Sequence, residues 1–190
     1  MRLDKPRIEP VADATATPEQ RELLAPLAAR GGPVLNVFRT LIKDPEAAKA
    51  FLAWGNYILS HKNALPPRER EIVILRIGYL CRSGYEWTQH HRIALQSGLS
   101  AGEIERIKAG PEAPGWTPAE AALLQATDDL HNDRFVGNVA WAALRAHFTE
   151  KQCMDVVFTV GQYTQVSMFL NSFGVQLDEG QVLDPDLAGP

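Results

Sequence analysis

The sequence predicts an all-α fold, on three observations. Six stretches carry helix-start chemistry. No Asn-Gly hairpin signal and little strict alternation of apolar and polar residues is present. The run Ile72, Val73, Ile74, Leu75, Ile77 and Leu80, with Arg76 set aside, is apolar almost all round, as in a helix buried centrally or at a subunit interface.

The starts follow in chain order. Thr17-Pro18-Glu19-Gln20 offers an N-cap, a proline at the first helical position and a glutamine three residues on. Asp44-Pro45-Glu46 repeats the device, and Leu65-Pro66-Pro67-Arg68-Glu69-Arg70-Glu71 opens a third helix with acids in its first turns. Ser100-Ala101-Gly102-Glu103, Thr117-Pro118-Ala119-Glu120 and Thr149-Glu150-Lys151-Gln152 are capping boxes. Breakers agree: Gly31-Gly32-Pro33 closes the first helix, which Pro26 is positioned to kink, and Gly110 to Gly115 is an irregular connector. The stretch Met154 to Leu170 is β-branched enough to resemble a strand, but its length and Thr149 cap predict a helix, with Gly174 as its C-terminal stop. Residues 1–16 read as an extended arm, 17–177 as one helical domain and 178–190 as a loosely held acidic tail.

Composition narrows the function. The 190 residues are 45% hydrophobic with a formal net charge of −4, so a basic nucleic-acid surface is not expected. Two cysteines without a CxxC give no disulfide framework. No signal peptide and no apolar run of about 20 residues is visible, so a cytoplasmic location without membrane contact is expected.

The chemistry concentrates in Ser83-Gly84-Tyr85-Glu86-Trp87-Thr88-Gln89-His90-His91. Glu86 and His90, four apart, share one helix face, with Ser83 on the same side. That stripe suits proton transfer or a metal. Two ligands fall short of the three a catalytic zinc needs, and His61 or His131 would join only through folding, so no metal is expected.

Pro67-Arg68-Glu69-Arg70-Glu71, the apolar run, Tyr85-Glu86-Trp87-x-x-His90 and Ala94-Leu95-x-x-Gly98-Leu99-Ser100-x-x-Glu103-Ile104 together resemble the carboxymuconolactone decarboxylase family, within the alkylhydroperoxidase-D-like group. The resemblance implies an all-helical bundle, here with an N-terminal extension, usually a homo-oligomer (a trimer or hexamer), acting on a small molecule without a cofactor. In the peroxidase branch a glutamate, a CxxC pair and a histidine form a relay. By resemblance the glutamate falls on Glu71, the histidine on His90 and the cysteines on Ser83 and Glu86, neither of which can form a thiolate.

The activity implied is loss of CO₂ from a carboxylated lactone of aromatic breakdown, with His90 as general acid, Glu86 as its partner or a second acid, and Glu71 as the orienting carboxylate. An isomerase or lactone hydrolase would use the same groups, and a scaffold keeping only the fold is the non-enzymatic alternative. Burial of Glu86 and His90 in a pocket favours an enzyme, and exposure of both favours a scaffold.

Each residue also has a plainer reading. His90 suits a hydrogen-bonded core position, Glu86 a solvated helix face, Glu71 a first-turn acid and Ser83 an N-cap. Arg76, Trp87, Ser83 and Tyr163 are the candidate substrate contacts. Arg76 is equally suited to an internal carboxylate, and Tyr163, Gln162 and Asn171 to core hydrogen bonds. Trp54 and Tyr57 read as core or pocket wall.

Overall fold

The computed structural model describes residues 2–29 and 31–189; Met1 and Pro190, at the ends of the expected arm and tail, lie outside the described residues. Nine α-helices and two short 3-10 turns form among them, with no strand. The helices are α1 (Pro18–Ala28), α2 (Asn36–Leu41), α3 (Pro45–Leu59), α4 (Pro67–Leu80), α5 (Gly84–Gln96), α6 (Ala101–Ala109), α7 (Pro118–Asp133), α8 (Asn138–His147) and α9 (Glu150–Phe173).

The local signals do what their chemistry requires. Thr17, Ser100, Thr117 and Thr149 each accept from the backbone N–H three residues on, and the residue there accepts back from the cap. Asp44 caps α3 by accepting from Ala47 N. Each such cap satisfies backbone donors that a helix end leaves unpaired, for about 1 kcal/mol. α2 and α8 start at Leu35 and Gly137 without any side-chain cap, which is why no start signal precedes them.

α4 is the centre of the bundle. Every residue from Glu71 to Gly78 is buried, and α5, α6, α7 and α9 pack around it. α9 is a single 24-residue helix despite its valines, ended by Gly174 at φ +68°, a left-handed position that suits glycine.

Arg76, the one charge in the apolar run, points away from the pocket that holds Glu86 and His90. It forms a two-pronged pair with Asp128 at 2.6 and 2.7 Å and donates to the carbonyls of Ile107 and Lys108, both at 2.9 Å. Gly110, at φ +88°, makes room: a Cβ there would meet Nη2 at 2.7 Å. The guanidinium is therefore a tie between α4, α6 and α7, not a substrate contact.

The ends of the chain are more firmly attached than their composition announces. Val11 and Ala16 of the arm join Leu24, Val34, Ile42 and Ala48 in a second small core. The tail was expected to be loose. Instead Asp178 accepts from Asn36 N, Tyr85 Oη and Gln89 Nε2, while Asp184 and Asp186 pair with Lys108 and Leu187 is buried. The acids that look like solvated composition are hydrogen-bond acceptors for donors far away in sequence. No helix among the described residues is long and apolar enough to cross a membrane.

Candidate active site

Two consecutive helices deliver the site. α4 places Glu71 inside the bundle, and α5 turns Glu86 and His90 onto one face, as the four-residue spacing requires. The main hydrogen bond is not between those two. His90 Nδ1 meets Glu71 Oε2 at 2.7 Å, with Glu71 only 1% exposed. An ionised carboxylate only accepts, so Nδ1 carries the proton and Nε2 is left for chemistry. His90 also packs edge-to-face on Tyr163 of α9, ring centroids 4.9 Å apart. The ring is thus held from two sides. Glu71, and not Glu86, is its orienting partner.

Glu86 has a different environment. It is 2% exposed, its Oε2 accepts from Ser167 Oγ at 3.0 Å, and its Oε1 has no partner. A methyl group on Gly78 would stand 2.6 Å from Oε1, so glycine at that turn of α4 is what admits the carboxyl. Burial pushes the Glu86 carboxyl well above the usual carboxylate range; the Ser167 bond opposes this and the charge of Glu71 adds to it. Glu86 therefore keeps its proton to higher pH than an exposed carboxyl does, which suits it to donate one. Burial and the same two glutamates push the Tyr163 phenol up as well.

Those groups share a cavity of about 370 Å³. Glu86, Gln89, His90, Gln162 and Tyr163 supply its polar wall, and Val37, Phe38, Phe51, Ile58, Ile93, Val166 and Leu170 are among its apolar walls. Leu23, Pro26 and Leu27 of α1 line one side. Arg92 and Glu22, both exposed, stand at the lining as its charged groups beyond Glu86 and His90.

The other sequence candidates fall elsewhere. Trp87, 1% exposed, lies about 100° round α5 from Glu86 and packs with Tyr79 beneath Lys108, away from the cavity. Ser83 occupies the N-cap position of α5 without making a cap bond; its Oγ is buried without a partner, and the Ser83–Glu86 capping box does not form because Glu86 turns inward to Ser167. Trp54 is 40% exposed and stacks on Tyr57, whose hydroxyl donates to Asp155, so neither lines the cavity. Asn171 donates to Cys81 O on another face. Gln162 and Tyr163 do line the cavity. Ser167, Gln89 and Arg92 were missed; Ser167 lies one helical turn beyond Tyr163 on α9, which is a weak signal.

Neither cysteine completes a dithiol. Cys153 is sealed in the core against Phe148 O, and burial pushes the Cys81 thiol up to about 11, with Glu86 adding to it. No group of three or more metal-ligating side chains assembles among the described residues.

The acid at position 86 makes a thermodynamic prediction. Because its folded pKa lies above its ordinary value of 4.5, the folded state holds a proton that the unfolded chain releases. Stability therefore falls as pH rises from about 4.5 towards the folded pKa. Glu86→Gln, an isostere of the neutral acid, is expected to raise Tm at pH 7 by a few degrees, the shift that ~1 kcal/mol gives a chain of this length. The gain should vanish near pH 4.5. Thermal unfolding at both pH values checks it, and a lower Tm for the variant at pH 7 would refute a neutral Glu86.

This arrangement of helices defines an alkylhydroperoxidase-D-like bundle. An uncharacterized peroxidase-related protein from Ralstonia eutropha JMP134, solved as an alkylhydroperoxidase AhpD core, superposes with a TM-score of 0.78 at 20% identity, over 90% of this chain and 93% of that one. A protein of unknown function from Agrobacterium tumefaciens, ATU0492, described as an AhpD antioxidant defence protein, gives 0.67 at 25% identity over 72% and 93%. The debrominase Bmp8, in a cysteine-to-alanine form with 2,3,4-tribromopyrrole, gives 0.75 at 14% over 90% and 91%. None of the curated proteins matches the sequence. The model of the carboxymuconolactone decarboxylase family matches residues 45–129, from the start of α3 into α7.

Proposed function

We propose that this protein is a cofactor-free proton-transfer enzyme that removes CO₂ from a small carboxylated lactone of the kind aromatic breakdown yields. One observation carries the reading: an oriented histidine and a buried carboxyl with an unpartnered oxygen sit on the polar wall of an otherwise apolar cavity of about 370 Å³.

The lactone carbonyl is its own electron sink. When the carboxylate leaves as CO₂, its bonding electrons pass through the conjugated system to the carbonyl oxygen, so no metal or organic cofactor is needed. Glu86, holding its proton, donates to that developing oxyanion. His90, acting as the imidazolium with its Nδ1–H held by Glu71, then gives its Nε2 proton to carbon and is left neutral. The balance is R–COO⁻ + H⁺ → R–H + CO₂. An apolar wall disfavours the charge concentrated on the substrate carboxylate more than the charge spread in the transition state. Arg92, at the cavity lining, is placed to receive the carboxylate before reaction. Bmp8, whose structure holds a tribromopyrrole, supports a small five-membered ring as ligand for this fold.

Turnover of 4-carboxymuconolactone and a panel of related lactone acids tests the reading, with His90→Ala and Glu86→Gln beside wild type. CO₂ release lost in both variants is expected. Ring opening or isomerisation without CO₂ would assign the same residues to a hydrolase or isomerase. Rates unchanged in both variants would remove them from the chemistry.

A further inference from the structure

The cavity is not the only opening beside Glu86. A second cleft, of about 660 Å³, lies across α9, lined by Cys81, His131, Thr164 and Ser167 together with Leu130 and Val160. The two share no lining residue. From α9 the first takes Gln162, Tyr163, Val166 and Leu170, and the second takes residues from the opposite face of the same helix, Ser167 among them. Glu86 lines only the first and Ser167 only the second, yet their side chains are hydrogen-bonded at 3.0 Å. That bond crosses the wall between them. Beyond it, on the wall of the same cleft as Ser167, Cys81 Sγ lies 3.8 Å from His131 Nδ1.

Decarboxylation consumes one proton per turnover. With substrate filling an apolar cavity, water cannot reach the acids from that side. Ser167 is only 1% exposed, but its hydroxyl both donates and accepts, which is what a relay requires.

We infer that Ser167 is the proton link through which Glu86 is recharged from the second cleft, so that the proton enters by a route the substrate does not block. The inference rests on the proposed acid–base role of Glu86. In the step, Glu86 hands its proton to His90 one turn along α5 after His90 has protonated carbon. Ser167 passes its hydroxyl proton to the Glu86 carboxylate and takes one from water in the cleft, which is replaced from solvent. One proton moves inward and no other atom is transferred. Ser167 is thus a positioning and relay residue; it does not touch substrate.

The test reads the proton on Glu86 directly, independently of lactone turnover. The infrared C=O band of the protonated carboxyl, assigned by its loss in Glu86→Gln, is followed after mixing into D₂O with the main cavity filled by toluene. Wild type and Ser167→Thr are expected to exchange alike, and Ser167→Ala about 10²-fold more slowly. Gly161→Leu, where a Cβ meets nothing within 4 Å on the second cleft's wall, is expected to slow exchange by filling that cleft. It serves even if the alanine variant folds poorly. Exchange at the wild-type rate in Ser167→Ala or Gly161→Leu overturns the route, as does the lack of any band lost in Glu86→Gln. A lactone panel without turnover beside slowed exchange in the variants would instead refute the substrate reading and leave the link standing.

Discussion

His90→Ala is expected to lower kcat on the lactone acid by about 10²–10⁴-fold, the usual worth of a positioned acid or base. Glu71→Gln should also lose about 10²-fold or more, with KM little changed. The reason is orientation, not contact with substrate. A carboxylate at 2.7 Å from Nδ1 holds a proton on that nitrogen, which leaves Nε2–H as the proton to be given. Glutamine can offer its NH₂ to Nδ1 instead, turning that nitrogen into an acceptor, so the ring no longer carries a proton on both nitrogens; loss of the carboxylate costs up to about 10⁴-fold in a comparable carboxylate–histidine pair. Steady-state kinetics with both variants, beside circular dichroism to show that they fold, checks this. A Glu71→Gln enzyme that keeps wild-type kcat would mean the dyad holds the bundle together without serving the chemistry.

The largest stability effect is expected at Arg76. Its side chain is 8% exposed, and its guanidinium ties three helices through Asp128 and the carbonyls of Ile107 and Lys108. Arg76→Ala leaves the Asp128 carboxylate without its cation and the two carbonyls without their donor, for about 3–5 kcal/mol. In a chain of this length that lowers Tm by roughly 10 °C. The pair itself is worth much less than its breakage, because two charges had to leave water to form it. The double variant Arg76→Met, Asp128→Leu should therefore recover much of the loss. Thermal unfolding of the single and double variants decides the point. A single variant as stable as wild type would show that the tie is dispensable.

What could be read in the sequence divides by distance along the chain. The caps of α1, α3, α6, α7 and α9 are legible because donor and acceptor lie three residues apart. The burial of α4 is legible because apolar side chains surround it. The shared face of Glu86 and His90 follows from their spacing, but which carboxylate holds the imidazole does not. Glu71 lies 19 residues away, and only the family resemblance pointed to it.

Farther pairings left no trace. Ser167 meets Glu86 across 81 residues, and Asp178 meets Tyr85 across 93. The tail therefore read as loose and Ser167 went unnoticed. Trp87 and Ser83 mislead for different reasons: Trp87, next to Glu86 in sequence, faces another side of α5 and packs under Lys108, while Ser83 is sealed at the helix start without a partner. Arg76 looked like a substrate anchor because its partner, Asp128, belongs to a helix three elements later. Charge alone cannot say whether a buried guanidinium waits for a ligand or already has one.

The central claim is that His90 and Glu86 move a proton to carbon in a largely apolar cavity. It is tested most directly by running the lactone-acid reaction in D₂O and examining the product by mass spectrometry and NMR. The account predicts that each CO₂ released is matched by one deuterium at the carbon that takes up the proton, with both signals lost in His90→Ala. CO₂ release that persists at the wild-type rate in His90→Ala, or product without deuterium, would contradict it.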